Sequence, residues 1–287
     1  MSSTQKIVLV TGCSQGGIGA ALCEEYASKG CKVYATARRL EAMHGFTHGS
    51  IELLQLDVTD QNSIDAVVNQ IIEKDGRIDI LVNNAGMTCS GPVVEVELDR
   101  LQKTFDTNVF GIVRVCRAVI PYMAARKSGT IVNMGSILAH VALPFAGIYS
   151  ASKAAVHSIT EALYMECLPF NISVVLVDSG GAASKIINNM AQNVGVPTLR
   201  IYGDYVDVIR EDFNPDRPEV KAATPLDEYA RGVVKPTLEA KPPRSFGVGS
   251  GSTLVPFIAS VVPRGVLLRY LWQSLVEKKR VALAKAK

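Results

Sequence analysis

Apolar and polar positions along this chain follow two rhythms in alternation. Ile7-Val8-Leu9-Val10 is an unbroken apolar run, as expected for a strand covered on both faces of a parallel sheet. After a glycine turn comes a segment of helical period, with Ala20, Leu22, Cys23, Tyr26 and Ala27 among its apolar positions and Gly30 to close it. Lys32 to Ala37 reads as the second strand. Further strands are predicted over 51–57, 78–82, 130–134 and 172–177, with helical spacing over 64–73, 99–126 and 149–168. Strands alternate with helices throughout, with neither an internal repeat nor a low-complexity stretch. The pattern predicts one α/β domain over 1–287, a doubly wound parallel sheet.

Composition narrows this reading. The 287 residues are nearly half apolar and one-fifth charged, enough for a sizeable core. Thirty basic against 27 acidic residues give a net charge of only +3, so no nucleic-acid partner is expected. Cys13, Cys23, Cys31, Cys89, Cys116 and Cys167 are scattered, without a Cys-x-x-Cys pair or a histidine at zinc-like spacing. No metal site is expected, and a reducing, cytoplasmic setting fits. The start of the chain is polar and shows no export signal. The longest apolar stretch, Thr253 to Trp272, is broken by Pro256, Pro263, Arg264 and Arg269, which argues against a simple membrane span.

The chemistry begins at Thr11-Gly12-Cys13-Ser14-Gln15-Gly16-Gly17-Ile18-Gly19, between the first strand and its helix. Glycines at such a turn let main-chain N–H groups and a helix N-terminus approach a pyrophosphate closely. Strand, glycine turn, helix and second strand together point to a dinucleotide. At the end of the second strand, where a carboxylate would accept from the adenosine ribose, stands Ala37, followed by Arg38 and Arg39. Forked guanidinium donors suit a 2′-phosphate, so NADPH/NADP+ is the cofactor expected. Further along, Asn83-Asn84-Ala85-Gly86 ends the fourth strand, Ser136 follows the fifth, and Tyr149 and Lys153 lie one helical turn apart on a common face.

In this order and spacing these residues resemble the short-chain dehydrogenase/reductase family over Ile7 to Ser184, which implies a single Rossmann domain. The glycine turn, the Asp57-Val58 pair, Asn-Asn-Ala-Gly, Asn108 in the fourth helix, Ser136 and Tyr149-x-x-x-Lys153 carry the likeness. The Cys-Ser-x-Gly-Gly-Ile-Gly turn, Ala-Arg-Arg and the apolar tail look most like a fungal-type subgroup of acyl-dihydroxyacetone phosphate reductases and secondary-metabolite carbonyl reductases. The resemblance implies catalysis by Ser136, Tyr149, Lys153 and Asn108. It implies cofactor contacts from Gly12, Ser14, Gly17, Ile18, Gly19, Arg38, Arg39, Asp57, Val58, Asn84, Ala85, Gly86, Tyr149, Lys153, Gly180 and Ser184. Two departures stand out. The glycine turn is one residue long, with Gly16 as the extra residue, and Ser179-Gly180 replaces a usual Pro-Gly, which is expected to loosen that loop.

In the implied reaction a ketone accepts hydride and Tyr149 protonates its oxygen. Lys153⁺ favours the phenolate, Ser136 holds the oxygen, and Asn108 anchors a water beside Lys153. The same residues would serve an alcohol dehydrogenase working oxidatively, and a non-catalytic NADP-binding scaffold is the alternative of another class. The segment Leu138, Val141, Leu143, Pro144, Phe145 and a lid over about 182–225, with Ile186, Ile187 and Met190, suit an apolar or amphipathic carbonyl substrate as well as ordinary lid packing. The extension over about 252–287, ending in Glu277-Lys278-Lys279-Arg280 and Lys285-Ala286-Lys287, reads either as a peripheral anchor on an intracellular membrane or as helices packed on the domain or a partner subunit. Pairing into a homodimer or homotetramer through the helices beginning near Asp99 and Tyr149 is implied by the family.

Overall fold

The structure is a computed structural model, which describes residues 5–184, 199–212, 214, 217 and 222–286. Seven parallel strands form one sheet in the order β3-β2-β1-β4-β5-β6-β7. They are β1 Ile7–Thr11, β2 Lys32–Ala37, β3 Ile51–Gln55, β4 Ile80–Asn83, β5 Gly129–Met134, β6 Ile172–Ser179 and β7 Ser245–Val248. Every residue of β1 is buried because both faces are covered. Val8 and Val10 point into one core, with Leu22 and Tyr26 of helix α1 (Ile18–Ser28) and Val233 and Val234 of Leu226–Thr237. Ile7 and Leu9 point into the other, with Ile64 and Ile71 of α2 (Gln61–Asp75) and residues of the later helices. The unbroken apolar run thus records a two-sided burial that alternation would have contradicted.

Helix ends follow local chemistry. Gly30 (φ +81°) turns the chain after α1, and Asp60 caps α2 by accepting from Asn62 N–H at 2.9 Å. The predicted helix over 99–126 is α3 (Leu98–Phe105) and α4 (Gly111–Ala125), joined by a π turn over Asp106–Phe110. The whole of Leu98–Ala125 is long and apolar enough to cross a membrane, although Arg114 and Arg117 interrupt it. Its Val109, Ile112, Val115, Cys116, Val119 and Met123 are buried in the second core, as in the core helix of a globular domain. Helix α5 (Gly147–Cys167) is pinned to the sheet by a polar chain: Asn83 Nδ2 donates to Asn133 Oδ1 (2.8 Å), and Asn133 Nδ2 to Thr160 Oγ1 (3.0 Å).

Strand β7 has no apolar run in the sequence. Its residues alternate exposed and half-buried, and Gly247 sits among them, so periodicity gave no signal. Helix α6 (Val206–Asp212) belongs to the lid, and α7 (Leu226–Thr237) backs the first core. Helices α8 (Leu254–Val261), α9 (Arg264–Trp272) and α10 (Lys278–Ala286) form the extension, with a π turn over Gln273–Glu277. A small third core joins Phe145 to Val208, Ile209 and Val276, with Tyr202, Tyr205, Trp272 and Leu283 against it. At least that half of the tail packs on the domain, while Leu254, Phe257 and Val261 of α8 are exposed. The expected lid residues Ile186, Ile187 and Met190 lie outside the described residues.

Candidate active site

Strand order reverses between β1 and β4, and in open parallel sheets ligands bind at the carboxyl ends beside such a switch. Here the two strand ends are clasped. Thr11 Oγ1 accepts from both Asn84 N–H and Ala85 N–H at 3.1 Å. Asn84 Nδ2 donates to Thr11 O (2.9 Å) and Gly12 O (3.0 Å). A Cβ on Gly12 would stand 2.7 Å from Ala85 Cα, and one on Gly19 2.5 Å from Asn84 Nδ2, so both glycines are fixed by space as well as conformation. The extra residue of the turn is absorbed by Gly16 (φ +73°), with Gly17 N–H donating back to Ser14 O at 3.0 Å. Gly17 is the N-cap of α1 and supplies no side-chain cap, and the first turn, from Ile18 through Gly19, carries no acid. Its N–H groups therefore stand open to an anion.

Arg38 and Arg39 are exposed past the end of β2. Arg39 leans on Glu41 (3.9 Å), whereas Arg38 lines a cavity of about 510 Å³ with Gln55, Asp57, Asp60 and Ser63. Asp57 Oδ1 accepts from Thr59 N–H and Oγ1, which holds the turn leading to buried Val58 and α2. This cavity lies at the adenosine end of the expected cofactor track, away from Tyr149.

At the other end, Ser136, Tyr149 and Lys153 converge. Ser136 caps a short 3₁₀ turn, its Oγ accepting from Leu138 N–H at 3.2 Å. The Tyr149 phenol faces the Ser136 hydroxyl. Burial pushes the phenol above its ordinary value, and the Ser136 hydroxyl pulls it partly back. Lys153 Nζ stands 5.9 Å from the Tyr149 ring centre and donates to Met134 O at 2.7 Å. Burial drives its pKa down from 10.5 to about 8. The lysine charge expected to favour the phenolate is itself weakened by burial, so the two groups meet closer to neutrality than the sequence implied.

Asn108 sits fully buried in the π turn. Its Oδ1 accepts from Met87 N–H, and its Nδ2 donates to Met87 O (both 2.8 Å) and to Ser152 Oγ (3.0 Å). Ser152 Oγ in turn donates to Tyr149 O at 2.7 Å. The side chain is committed to holding the loop after Gly86 against α5, so the water-anchoring expected of Asn108 does not come from its side-chain donors.

The loop after β6 is not loosened by the missing proline. Gly180 N–H donates to Val248 O (2.8 Å), Gly181 and Ser250 exchange main-chain bonds at 2.9 and 3.0 Å, and Ser179 Oγ pairs with Tyr229 OH at 2.5 Å. A Cβ on Gly180 would stand 2.2 Å from Ser250 O. The unforeseen β7 and α7 thus replace the rigidity proline would give, and Gly180 serves the scaffold. Beyond it, Ser184 Oγ is buried, with no hydrogen-bond partner among the described residues.

A short chain dehydrogenase family profile matches residues 6–195, which include every predicted site residue from Gly12 to Ser184. The chain belongs to the short-chain dehydrogenase family. This short-chain dehydrogenase is similar to two yeast enzymes named NADPH-dependent 1-acyldihydroxyacetone phosphate reductase. That of Saccharomyces cerevisiae is 35% identical over 274 residues, 93% of this chain and 90% of the relative. That of Schizosaccharomyces pombe is 35% identical over 231 residues, 79% and 76%. Among solved structures, a short-chain dehydrogenase from Streptomyces avermitilis matches with a TM-score of 0.75 at 30% identity, covering 96% of this chain and 98% of that one. One from Burkholderia cenocepacia, in complex with NADP, has a TM-score of 0.73 at 24% identity over 93% and 97%, a likeness of fold. The family makes the chain an oxidoreductase.

One group of side chains was invisible to spacing. His140, His157 and Asp178 come from a turn, a helix and a strand and meet behind Ser136. The sequence reading expected no metal-ligand pattern, because none of the three is close to another along the chain.

Proposed function

We propose that this short-chain dehydrogenase reduces a ketone carrying an apolar or amphipathic chain to a secondary alcohol, with NADPH as the reductant. The observation that carries the reading is the convergence of Tyr149 and Ser136 with Lys153 Nζ 5.9 Å from the phenol ring, next to a glycine turn whose helix N-terminus has no side-chain cap. The residues fit the dinucleotide: Gly12 and Gly19 leave no room for side chains, and Arg38 lines the cavity at the end of β2. The buried hydroxyl of Ser184, without a partner among the described residues, suits a bond to the carboxamide end. Bound there, the cofactor supplies a hydride to the carbonyl carbon.

The chain's own groups manage the oxygen. Ser136 Oγ orients it and stabilises the negative charge that develops. Tyr149 OH donates the proton, and the charge of Lys153 offsets the cost that burial places on the resulting phenolate. Asn108, through Ser152, fixes the turn of α5 that carries Tyr149. In the reverse direction the same proton path runs backwards. The substrate class is supported by the apolar segment with Val141 and Phe145 that follows Ser136 in the chain, and by the acyl-ketone chemistry in the names of the two yeast relatives.

The test is NADPH oxidation across 1-acyl-dihydroxyacetone phosphates, polyketide ketones, steroids and small aryl ketones. Consumption with a long-chain ketone, lost in Tyr149→Phe while NADPH binding stays within about twofold, is the expected result. No consumption with any ketone would remove the reading. The same proposal places the chain in the cytoplasm as a homodimer or homotetramer. Exposed Phe110 and Met165 on α4's entry turn and α5 supply an apolar face for pairing. The exposed face of α8, with Lys278 and Lys279 further on, suits contact with an anionic membrane surface, which vesicle flotation would show.

A further inference from the structure

Behind Ser136 three ligand-type side chains from separate elements converge. His140 follows the 3₁₀ turn that Ser136 caps, and Asp178 is the last residue but one of β6. His157 lies on α5 one turn beyond Lys153 and two beyond Tyr149, on the same face. The His157 ring rests on the Gly135 main chain, where a Cβ would stand 2.6 Å from Nε2, so glycine is required there. His140 Nε2 is 3.1 Å from Asp178 Oδ2, and His157 Nε2 is 3.2 Å from Asp178 Oδ1. The two imidazoles cross edge-on, with centres 5.1 Å apart.

Hydrogen bonding accounts for the His140 Nε2–Asp178 Oδ2 contact but poorly for His157. Asp178 Oδ1 is buried and lacks a hydrogen bond, despite the imidazole nitrogen 3.2 Å away. That same Nε2 receives the Ser136 N–H at 3.4 Å, which requires its lone pair. A lone pair beside a carboxylate oxygen is repulsive, whereas a proton on Nε2 would oppose the Ser136 N–H. A cation between the groups would turn the repulsion between lone pair and carboxylate into shared attraction, at the expense of the long Ser136 N–H contact. Two nitrogens and an oxygen about 2.0–2.1 Å from a tetrahedral metal stand about 3.3 Å apart, with ring centres about 5.2 Å apart. The ligand atoms lie within 4.8 Å of one another, the ring centres are 5.1 Å apart, and each Nε2 stands 3.1–3.2 Å from a different oxygen of Asp178, so closing on one metal needs only a small turn of the carboxylate.

We propose that His140, His157 and Asp178 bind a divalent transition metal through two Nε2 atoms and one carboxylate. Imidazole and carboxylate donors suit Zn²⁺, Co²⁺ or Ni²⁺ over Mg²⁺. Three protein ligands leave a fourth position open, as in zinc sites that keep a water. It faces a cavity of about 150 Å³ shared with Glu161, Tyr164 and Arg244, large enough for that water. Occupancy would draw the His157 lone pair from Ser136 N–H, which links the site to the serine while using none of Ser136, Tyr149 or Lys153 as a ligand.

The test uses full-length, tag-free protein stripped with chelator, titrated calorimetrically with Zn²⁺ and followed by visible absorption with Co²⁺. A single saturable equivalent and the intense ligand-field bands of tetrahedral Co²⁺ are expected. Affinity should fall at least about tenfold in both His140→Ala and His157→Ala. It should be unchanged in His48→Ala, whose imidazole pairs with Glu24 elsewhere. His140 is about a third exposed, so its variant is expected to fold, as circular dichroism will verify, and it decides the matter if His157→Ala does not. The proposal is overturned by absence of saturable uptake, by octahedral Co²⁺ bands, or by unchanged affinity in folded His140→Ala. None of these outcomes bears on the ketone-reductase reading, which NADPH turnover tests separately.

Discussion

Lys153→Met separates what the lysine does for the fold from what it does for turnover. Lys153 is only 7% exposed, and burial lowers its pKa from 10.5 to about 8. At ~1.4 kcal/mol per pKa unit, keeping the ammonium charged in the folded state costs about 3 kcal/mol at pH 7. Methionine keeps the stem and removes the charge, but leaves Met134 O without its 2.7 Å donor, a loss of about 1–3 kcal/mol. The net expectation is a variant about 1 kcal/mol more stable at pH 7, with a Tm higher by about 2–4 °C, and without ketone reduction.

The pH dependence follows from the direction of the shift. With the native pKa depressed, the unfolded chain binds the extra proton between about pH 8 and 10.5. The wild type therefore gains stability across that window relative to the variant, whereas below pH 8 the burial penalty is constant. Urea unfolding of both proteins at pH 7 and pH 10 should show the variant's advantage shrinking by about 2–3 kcal/mol and reversing. Other titrating groups are common to both proteins and cancel. A variant less stable than wild type by the same margin at both pH values would refute the burial argument, and retained turnover would refute the catalytic one.

Three further outcomes are expected. Gly19→Ala drives a Cβ against Asn84 Nδ2 and Gly12 O, both at 2.5 Å, and should cost about 1–3 kcal/mol of stability. NADPH affinity, read by nucleotide fluorescence, should fall about 10–100-fold, whereas Gly49→Ala, whose Cβ meets nothing, should change neither. Arg38→Ala should lower kcat/KM with NADPH about 10–100-fold, the worth of a charged hydrogen bond of about 1.5–3 kcal/mol, and leave NADH nearly unchanged. Trp272→Ala removes ring contacts to Tyr205 (5.6 Å) and Phe145 (6.3 Å) and should raise KM for long-chain ketones several-fold more than for short ones in the same assay.

What the sequence disclosed depended on whether a feature was local. The strands buried on both faces announced themselves as apolar runs, and the glycine turn, Ser136 and the Tyr149–Lys153 pair are short motifs within single elements. Strand β7 stayed hidden because an edge strand needs fewer apolar residues. With it stayed hidden the bonds from Val248 and Ser250 that hold the loop at Gly180, and the Ser179–Tyr229 pair. The role of Asn108 was legible only as a position, since its partners Met87 and Ser152 are assigned by the packing of a loop on a helix. The environment of Lys153 was out of reach for a similar reason: spacing shows that its charge can reach Tyr149, but not that burial lowers its pKa. The His140–His157–Asp178 cluster joins three elements and leaves no trace in spacing.

Phe145 holds φ +61°, a backbone conformation unusual for a bulky side chain, and sends its ring into contact with Tyr202, Tyr205 and Trp272. This small core is thereby assembled from three distant parts of the chain. Variation in the last forty or so residues can shift this core, and with it the lid residues Tyr202 and Tyr205, while the stretch from Ser136 to Lys153 is left untouched. Such an arrangement is readily diversified by descent, and it makes tail exchange between related reductases a direct route to new substrate preferences.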